Sequence, residues 1–340
     1  MDLKTLTMLR GVSGHEQAVR KALMEACKPL CDKVYFDRMG NVVAFKKGTD
    51  SANYPHVCLA AHMDEVGFIV TSITDDGLLR FRCVGGIDPR VIISKRVLVG
   101  EKEIPGVIGA MAIHLQTAED RQRVPQYDSI YIDIGAKTKD EAAKDCPPGS
   151  YVTFDSPYTP FGDGYVCAKA LDDRVGCWAM LKVLEGSYPG DVTCLFTSQE
   201  ETGCRGATGG IFGLENLPDV ALILEGTTCN DLGDVPDPQK VCRAGEGVAV
   251  SFMDFASIAC KPLYLKLLEV AEEKGISHQI KKSVSGGNDS RAAQRAKSGV
   301  MTCVLSVPCR YIHGPSSVIC LKDADAQAEL AMAFLADPRL

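Results

Sequence analysis

No stretch of the chain approaches the roughly 18 consecutive apolar residues of a membrane-spanning helix, and its opening, MDLKTLTMLRGVSG, lacks the apolar segment of a signal peptide. The expectation is a cytoplasmic protein with no membrane partner. Basic patches are missing as well. The formal charge is −7 without a long acidic block, which excludes the electrostatic footprint of a nucleic-acid or anionic-lipid binder. The fifteen cysteines include no CxxC pair, and Cys58, Cys194 and Cys303 lie inside apolar runs. They read as reduced core thiols rather than as disulfides or a zinc knuckle. No internal repeat and no low-complexity segment interrupts the chain.

What is present is an ordinary globular composition, 46% hydrophobic over 340 residues, enough for two modest domains or one large one. Ser13 and Glu16 have the spacing of a capping box, which predicts a first helix from about Gly14 through HEQAVRKALMEAC. KVYFDRMGNVVAFKKG reads as a hairpin turning at Met39-Gly40, and HVCLAAHMDEV as a buried strand. Between residues 67 and 158 the texture becomes short β-rich runs separated by Gly, Pro and Asp, the pattern of a small β-barrel or sandwich. Beyond it, helix and strand alternate: RVGCWAMLKVLEG, DVTCLFTS, a helix near 205–213, DVALILE, KPLYLKLLEVAEEKG, VMTCVLSV and DADAQAELAMAFL. Such alternation predicts an α/β fold with a mixed, mostly parallel sheet covered by helices. The β-rich block is thus an insertion in a domain built from residues 1–66 and 159–340.

Ligands of open α/β sheets bind at the carboxyl ends of the strands. Strand-like runs here end in potential metal ligands: VCLAAH at His62, CLFTSQEE at Glu200 and Glu201, VALILE at Glu225, and CVLSVPCRYIH at His313. Asp172 and Asp173 stand just before a helix. Two histidines with several carboxylates form a nitrogen and oxygen donor set suited to zinc, cobalt or manganese. Neighbouring residues at a strand end point in different directions. One of Glu200 and Glu201 can therefore hold a metal while the other acts as base towards water. Asp64, two residues beyond His62, is placed to support that imidazole. By contrast His15, His56, His114 and His278 match no ligand pattern and read as structural. GGND at 286–289 reads as a turn capping a helix or as a loop shaping the pocket, and Asp323 and Asp325 as carboxylates favouring the dipole of the final helix.

AAHMDEVGFIV, AKALDDRVG, TSQEETGCRGA, LEGTT and RYIHGPSS occur in this order. Together, over nearly the whole chain, they resemble the tetrahedral aminopeptidases, the glutamyl and deblocking aminopeptidase family also labelled cellulase or endoglucanase M. The resemblance implies a metal-dependent aminopeptidase acting on short peptides with two divalent ions per subunit, zinc first, cobalt or manganese as alternatives. It assigns Asp172 to bridge the ions, Glu201 and His313 to one of them, His62 and Glu225 to the other. Glu200 becomes the general base and Asp64 the support of His62. The peptide bond between Asp172 and Asp173 is often cis in related metallopeptidases. Glu225 stands where many relatives have aspartate. In the family the inserted β-rich domain pairs subunits, and dimers join into hollow dodecamers. Since every implied ligand lies outside residues 67–158, the insertion is not expected to serve the metal chemistry. Two alternatives remain: a glycoside hydrolase of endoglucanase type, whose paired carboxylates need no metal, and a non-catalytic, metal-dependent peptide-binding subunit.

Overall fold

The computed structural model describes residues 1–284 and 286–340. Helices α1 (Leu3–Met8) and α2 (Gln17–Cys27) lead into the hairpin β1 (Lys33–Phe36) and β2 (Val42–Lys46), then β3 (Val57–His62). Six strands follow: β4 (Gly67–Ile73), β5 (Leu79–Val84), β6 (Arg96–Val99), β7 (Ile104–Ala110), β8 (Ile130–Asp133) and β9 (Tyr151–Phe154), with α3 (Lys139–Asp145) between the last two. These strands close into an antiparallel barrel in the order β4-β5-β8-β7-β6-β9. The remainder comprises β10 (Thr159–Phe161), β11 (Tyr165–Ala168), α4 (Leu171–Glu185), β12 (Val192–Thr197), α5 (Arg205–Gly213) and β13 (Val220–Thr228). After them come β14 (Val248–Ser251), α6 (Lys261–Lys274), β15 (His278–Ile280), α7 (Ser290–Gln294), β16 (Met301–Arg310), β17 (Ser317–Cys320) and α8 (Leu321–Ala336).

Among the described residues the large sheet has eleven strands, ordered β1-β2-β12-β3-β13-β16-β17-β11-β10, with β14 and β15 branching from β16. Its centre, β12-β3-β13-β16, is parallel throughout, and antiparallel strands extend it on both sides. The two-residue period of a strand explains why these runs are apolar without a break. Val57, Leu59 and Ala61 face one hydrophobic cluster with Leu222 and Leu224, while Cys58, Ala60 and Ile223 face another on the opposite side. Helices α4, α6 and α8 pack on the first side, and α5 and α7 on the second. The barrel has its own interior, where Phe68 meets Phe81 and Phe154 edge to face at centroid distances of 5.0 and 5.3 Å.

All fifteen cysteines are free thiols, and no helix among the described residues is long and apolar enough to cross a membrane. Three local expectations are corrected. Helix α1 precedes the first predicted helix, and α2 starts at Gln17 without a side-chain cap. The Ser13 hydroxyl is drawn instead to Asp64 Oδ2 at 2.5 Å, and the Glu16 carboxylate accepts the N–H groups of Gly14 and Gln199. A tertiary partner has taken Ser13 from the local capping box, while Glu16 keeps a local bond and adds a distant one. Asp323 does more than favour a dipole: it is buried and accepts the N–H groups of Gly245 and Gly247.

Candidate active site

The carboxyl ends of β3, β12 and β13, and the turn after β16, meet beside the start of α4. His62 ends β3 opposite Thr197 of β12, Glu225 lies within β13, and Glu200 and Glu201 follow β12 by a few residues. Asp172 is held where Gly226 lets β13 pass close by, since a Cβ at Gly226 would lie 3.2 Å from Asp172 Oδ1. The Asp172–Asp173 peptide is cis.

The two Asp172 oxygens face different histidines. Oδ1 lies 3.4 Å from His62 Nε2, which is also 3.7 Å from Glu225 Oε2. Oδ2 lies 3.3 Å from His313 Nε2, which is 3.5 Å from Glu201 Oε2. Both imidazoles are oriented through Nδ1, by the Asp64 carbonyl at 3.2 Å for His62 and by the Gly86 carbonyl at 3.0 Å for His313. A carbonyl only accepts, so each Nδ1 carries a proton and each Nε2 is left facing carboxylate oxygens, where it meets them through a proton when the ring is charged or offers a lone pair when a metal ion takes that proton's place. Among the described residues Asp172 Oδ1 is buried and accepts no hydrogen bond. Carboxylate oxygens converging on two Nε2 atoms need positive charge between them, carried by imidazolium protons or by a metal ion that replaces them.

The charge balance agrees. Burial works against protonation of His62, but the carboxylates of Asp172, Asp64 and Glu225 outweigh it and hold the imidazole well above its ordinary range. Burial, then Asp173, raises Glu225 well above the usual carboxylate range, and burial, reinforced by Asp172 against the pull of His313, brings Glu201 to about 8. Burial likewise raises Glu200. Negative charge is gathered here beyond what two imidazoles neutralise.

Asp64 has a wider task than supporting His62. Its carboxylate is 3.6 Å from His62 Nδ1, yet accepts Ser13 Oγ and the backbone N–H groups of Glu200 at 3.0 Å and Glu201 at 3.2 Å. One buried carboxylate thereby fixes the turn that aims both glutamates. Asp173 also groups with His62 and Glu225 within metal-ligand reach. Its oxygens, however, already accept the N–H groups of His62 and Gly176, so it positions rather than faces the cleft. Beneath the site Lys169 bridges the Leu9 carbonyl and both oxygens of Glu65, and Arg174 binds the carbonyls of Met63, Leu6 and Leu9. Gln327 of α8 donates to the carbonyls of Glu225 and Leu305.

A cavity of about 200 Å³ opens onto these groups. Gly286, Gly287 and Asn288 line it with Lys281, Glu200 and Glu225, so the GGND segment shapes the pocket. The segment also leads into α7, although Asp289 makes no side-chain cap there. The other histidines lie apart: His15 stacks on Tyr151, His56 Nε2 meets Thr193, His278 Nδ1 meets the Ile276 carbonyl, and His114 is exposed in a short 3-10 turn. The barrel is not detached from the cleft. Gly86, just after β5, supplies the carbonyl that orients His313, so although every implied ligand lies outside residues 67–158, the insertion does serve the site, which corrects the expectation that it does not serve the metal chemistry. Backbone carbonyls have no signature in a sequence, and this one was not foreseeable.

The model of the M42 glutamyl aminopeptidase family matches residues 40–330. A lysyl aminopeptidase of Pyrococcus furiosus is 31% identical, with 98% of this chain and 95% of that one covered. An aminopeptidase from the archaeon Desulfurococcus kamchatkensis superposes with a TM-score of 0.93 at 34% identity, covering 98% of this chain and 93% of that one. The TET1 peptidase of Pyrococcus horikoshii, which can assemble into a tetrahedron or a large octahedral shell, superposes with a TM-score of 0.85 at 32% identity and covers 98% of each chain.

Proposed function

Because the chain belongs to the M42 glutamyl aminopeptidase family and is a peptide-hydrolysing enzyme, we propose that it removes N-terminal residues from short peptides at a dinuclear metal centre. Asp172 would bridge two divalent ions, with His313 and Glu201 holding one and His62 and Glu225 the other. The observation that carries this reading is the pair of histidine Nε2 atoms turned towards the two oxygens of a single buried aspartate. The donor set of imidazoles and carboxylates suits zinc, with cobalt and manganese as alternatives.

When bound, the ions polarise the scissile carbonyl and lower the pKa of water. Glu200, raised by burial and lining the cavity, takes the proton of the attacking water and passes it to the departing amine. Glu201 is held as a ligand by the same Asp64 carboxylate that orients Glu200, so the two neighbours keep separate tasks. The longer Glu225 reaches His62 from β13 and keeps the ligand role that its place implies. A glycosidase needs two carboxylates flanking a sugar bond and no histidine between them; nothing in this cleft favours it.

Residues 1–66 and 159–340 then form the catalytic domain, and residues 67–158 an inserted domain that pairs subunits. In support, the barrel has a separate core, and the segment after β7 exposes Met111, Ile113 and Leu115, the last two by 70% and 66%. By likeness to the Pyrococcus horikoshii peptidase we extend this to dimers assembling into a dodecamer. Light scattering at working concentration is expected to report a dimer or larger; a monomer with full activity overturns the pairing role.

The catalytic reading is tested with aminoacyl-anilides of Glu, Leu, Lys and Ala on metal-stripped protein, before and after zinc, cobalt or manganese is returned. Hydrolysis that appears only with metal is expected. Turnover indifferent to chelation, or none with any metal, contradicts it.

A further inference from the structure

A second group of ligand-type side chains is built on Glu200, and the proposed reaction uses neither of its other two members. Cys204, in the left-handed conformation (φ 53) ahead of α5, places its thiol 3.1 Å from Glu200 Oε1. Asp289, fully buried ahead of α7, uses Oδ2 to accept the Thr197 hydroxyl at 2.5 Å. Among the described residues its Oδ1 is buried with no hydrogen-bond partner. One ligand atom each from Glu200, Cys204 and Asp289 lie within 4.8 Å of one another. None of the three belongs to the set around Asp172.

Three ionisable acids without shared protons are unstable company in a buried place. Burial, then the charge of Glu200, raises the Asp289 carboxyl to about 7, and burial, then Asp289 and Glu200, pushes the Cys204 thiol above its usual range. The positive charges that reach the group, Arg291 towards Cys204 and His62 towards Asp289 and Glu200, do not offset its burial, and its composition indicates which cation fits. One sulfur with two carboxylates suits a borderline or soft ion, whereas magnesium and calcium require oxygen alone. Glu200 and Asn288, the neighbour of Asp289, both line the cavity, so an ion has a route in from the cleft.

We propose that Glu200, Cys204 and Asp289 form a third divalent-cation site, selective for zinc or cadmium, whose occupation withdraws Glu200 from proton transfer and makes excess metal an inhibitor. The thiol gives up its proton to solvent as the ion binds. The inhibitory role rests on Glu200 being the base of the proposed aminopeptidase; the binding site does not.

Cadmium titrated into zinc-loaded protein tests the two parts separately. The expected result is one further equivalent bound beyond the first two ions, with an ultraviolet cadmium–thiolate charge-transfer band and a parallel fall in anilide hydrolysis. The centre around Asp172 has no sulfur and cannot give that band. Cys204→Ala is expected to abolish the band and the extra equivalent, and Asp289→Asn, which preserves side-chain volume, to weaken the extra ion by at least about 10-fold. Absence of the extra equivalent, or a band that survives Cys204→Ala, overturns the site. A band that responds to both variants while hydrolysis continues undiminished overturns the inhibitory role and keeps the site. The same band in a protein that hydrolyses no anilide under any metal keeps the site and sinks the aminopeptidase reading instead.

Discussion

The two histidines of the cleft are oriented by the same device and secured by different parts of the chain. His62 ends a strand at the centre of the sheet, is almost wholly enclosed, and takes its Nδ1 acceptor from its own segment, two residues away. His313 follows the sheet in a left-handed turn (φ 59), leaves 39% of its side chain exposed, and takes its acceptor from Gly86 of the barrel, 227 residues earlier. One half of the proposed centre is therefore a product of the α/β core, while the other depends on how the inserted barrel sits. A ligand whose orientation is borrowed from another module can be disturbed without touching the core. The His313 half is accordingly the one expected to exchange its ion first.

The comparison is broken most completely at the residue the halves share. Asp172→Ala is expected to weaken both ions beyond the roughly 100-fold typical of losing an outer partner, with hydrolysis lost at ordinary metal concentrations. Metal analysis showing two ions still tightly held removes Asp172 from the bridge. The next effect separates the halves. Gly85 precedes Gly86 with φ +85, and a Cβ there would stand 2.8 Å from Val66 Cγ1 and 3.3 Å from Glu201 Cβ. Gly85→Ala should displace the Gly86 carbonyl and weaken one ion by about 10- to 100-fold while sparing the other. Equal weakening of both, followed by calorimetry on cobalt-loaded protein, would show that the barrel does not serve His313 alone. The smallest effect belongs to the His62 side. Ser13→Ala removes a hydrogen bond to the buried Asp64 carboxylate and should cost about 1.5–3 kcal/mol of stability, with both ions still bound. Unchanged denaturant unfolding would mean that Asp64 is held by the Glu200 and Glu201 amides without help.

The same contrast separates what was legible in the sequence from what was not. Runs such as VCLAAH, CLFTS and VALILE are apolar without alternation because both faces of the sheet are covered, and a run of that kind ending in a histidine or glutamate declares itself. The helix at 205–213 and the six barrel strands were readable from turn residues and period. What stayed hidden was set by distant partners. Ser13 and Glu16 satisfied a capping rule over four residues, yet the hydroxyl goes to Asp64, 51 residues away, and the Glu16 carboxylate reaches Gln199. Gly86 acts through its backbone, and Asp289 through burial against Thr197, neither of which leaves a mark on residue type. Helix α1 is too short for its periodicity to stand out.

The central claim is that adjacent glutamates divide the work, Glu201 holding a metal and Glu200 moving the proton. It is tested most directly by Glu200→Gln, with bound metal counted and kcat for a cleaved anilide measured on the same preparation. The account predicts two ions per subunit, as in the unmodified protein, and a kcat lower by about 100-fold or more. Near-normal kcat in a protein that still holds both ions would contradict it.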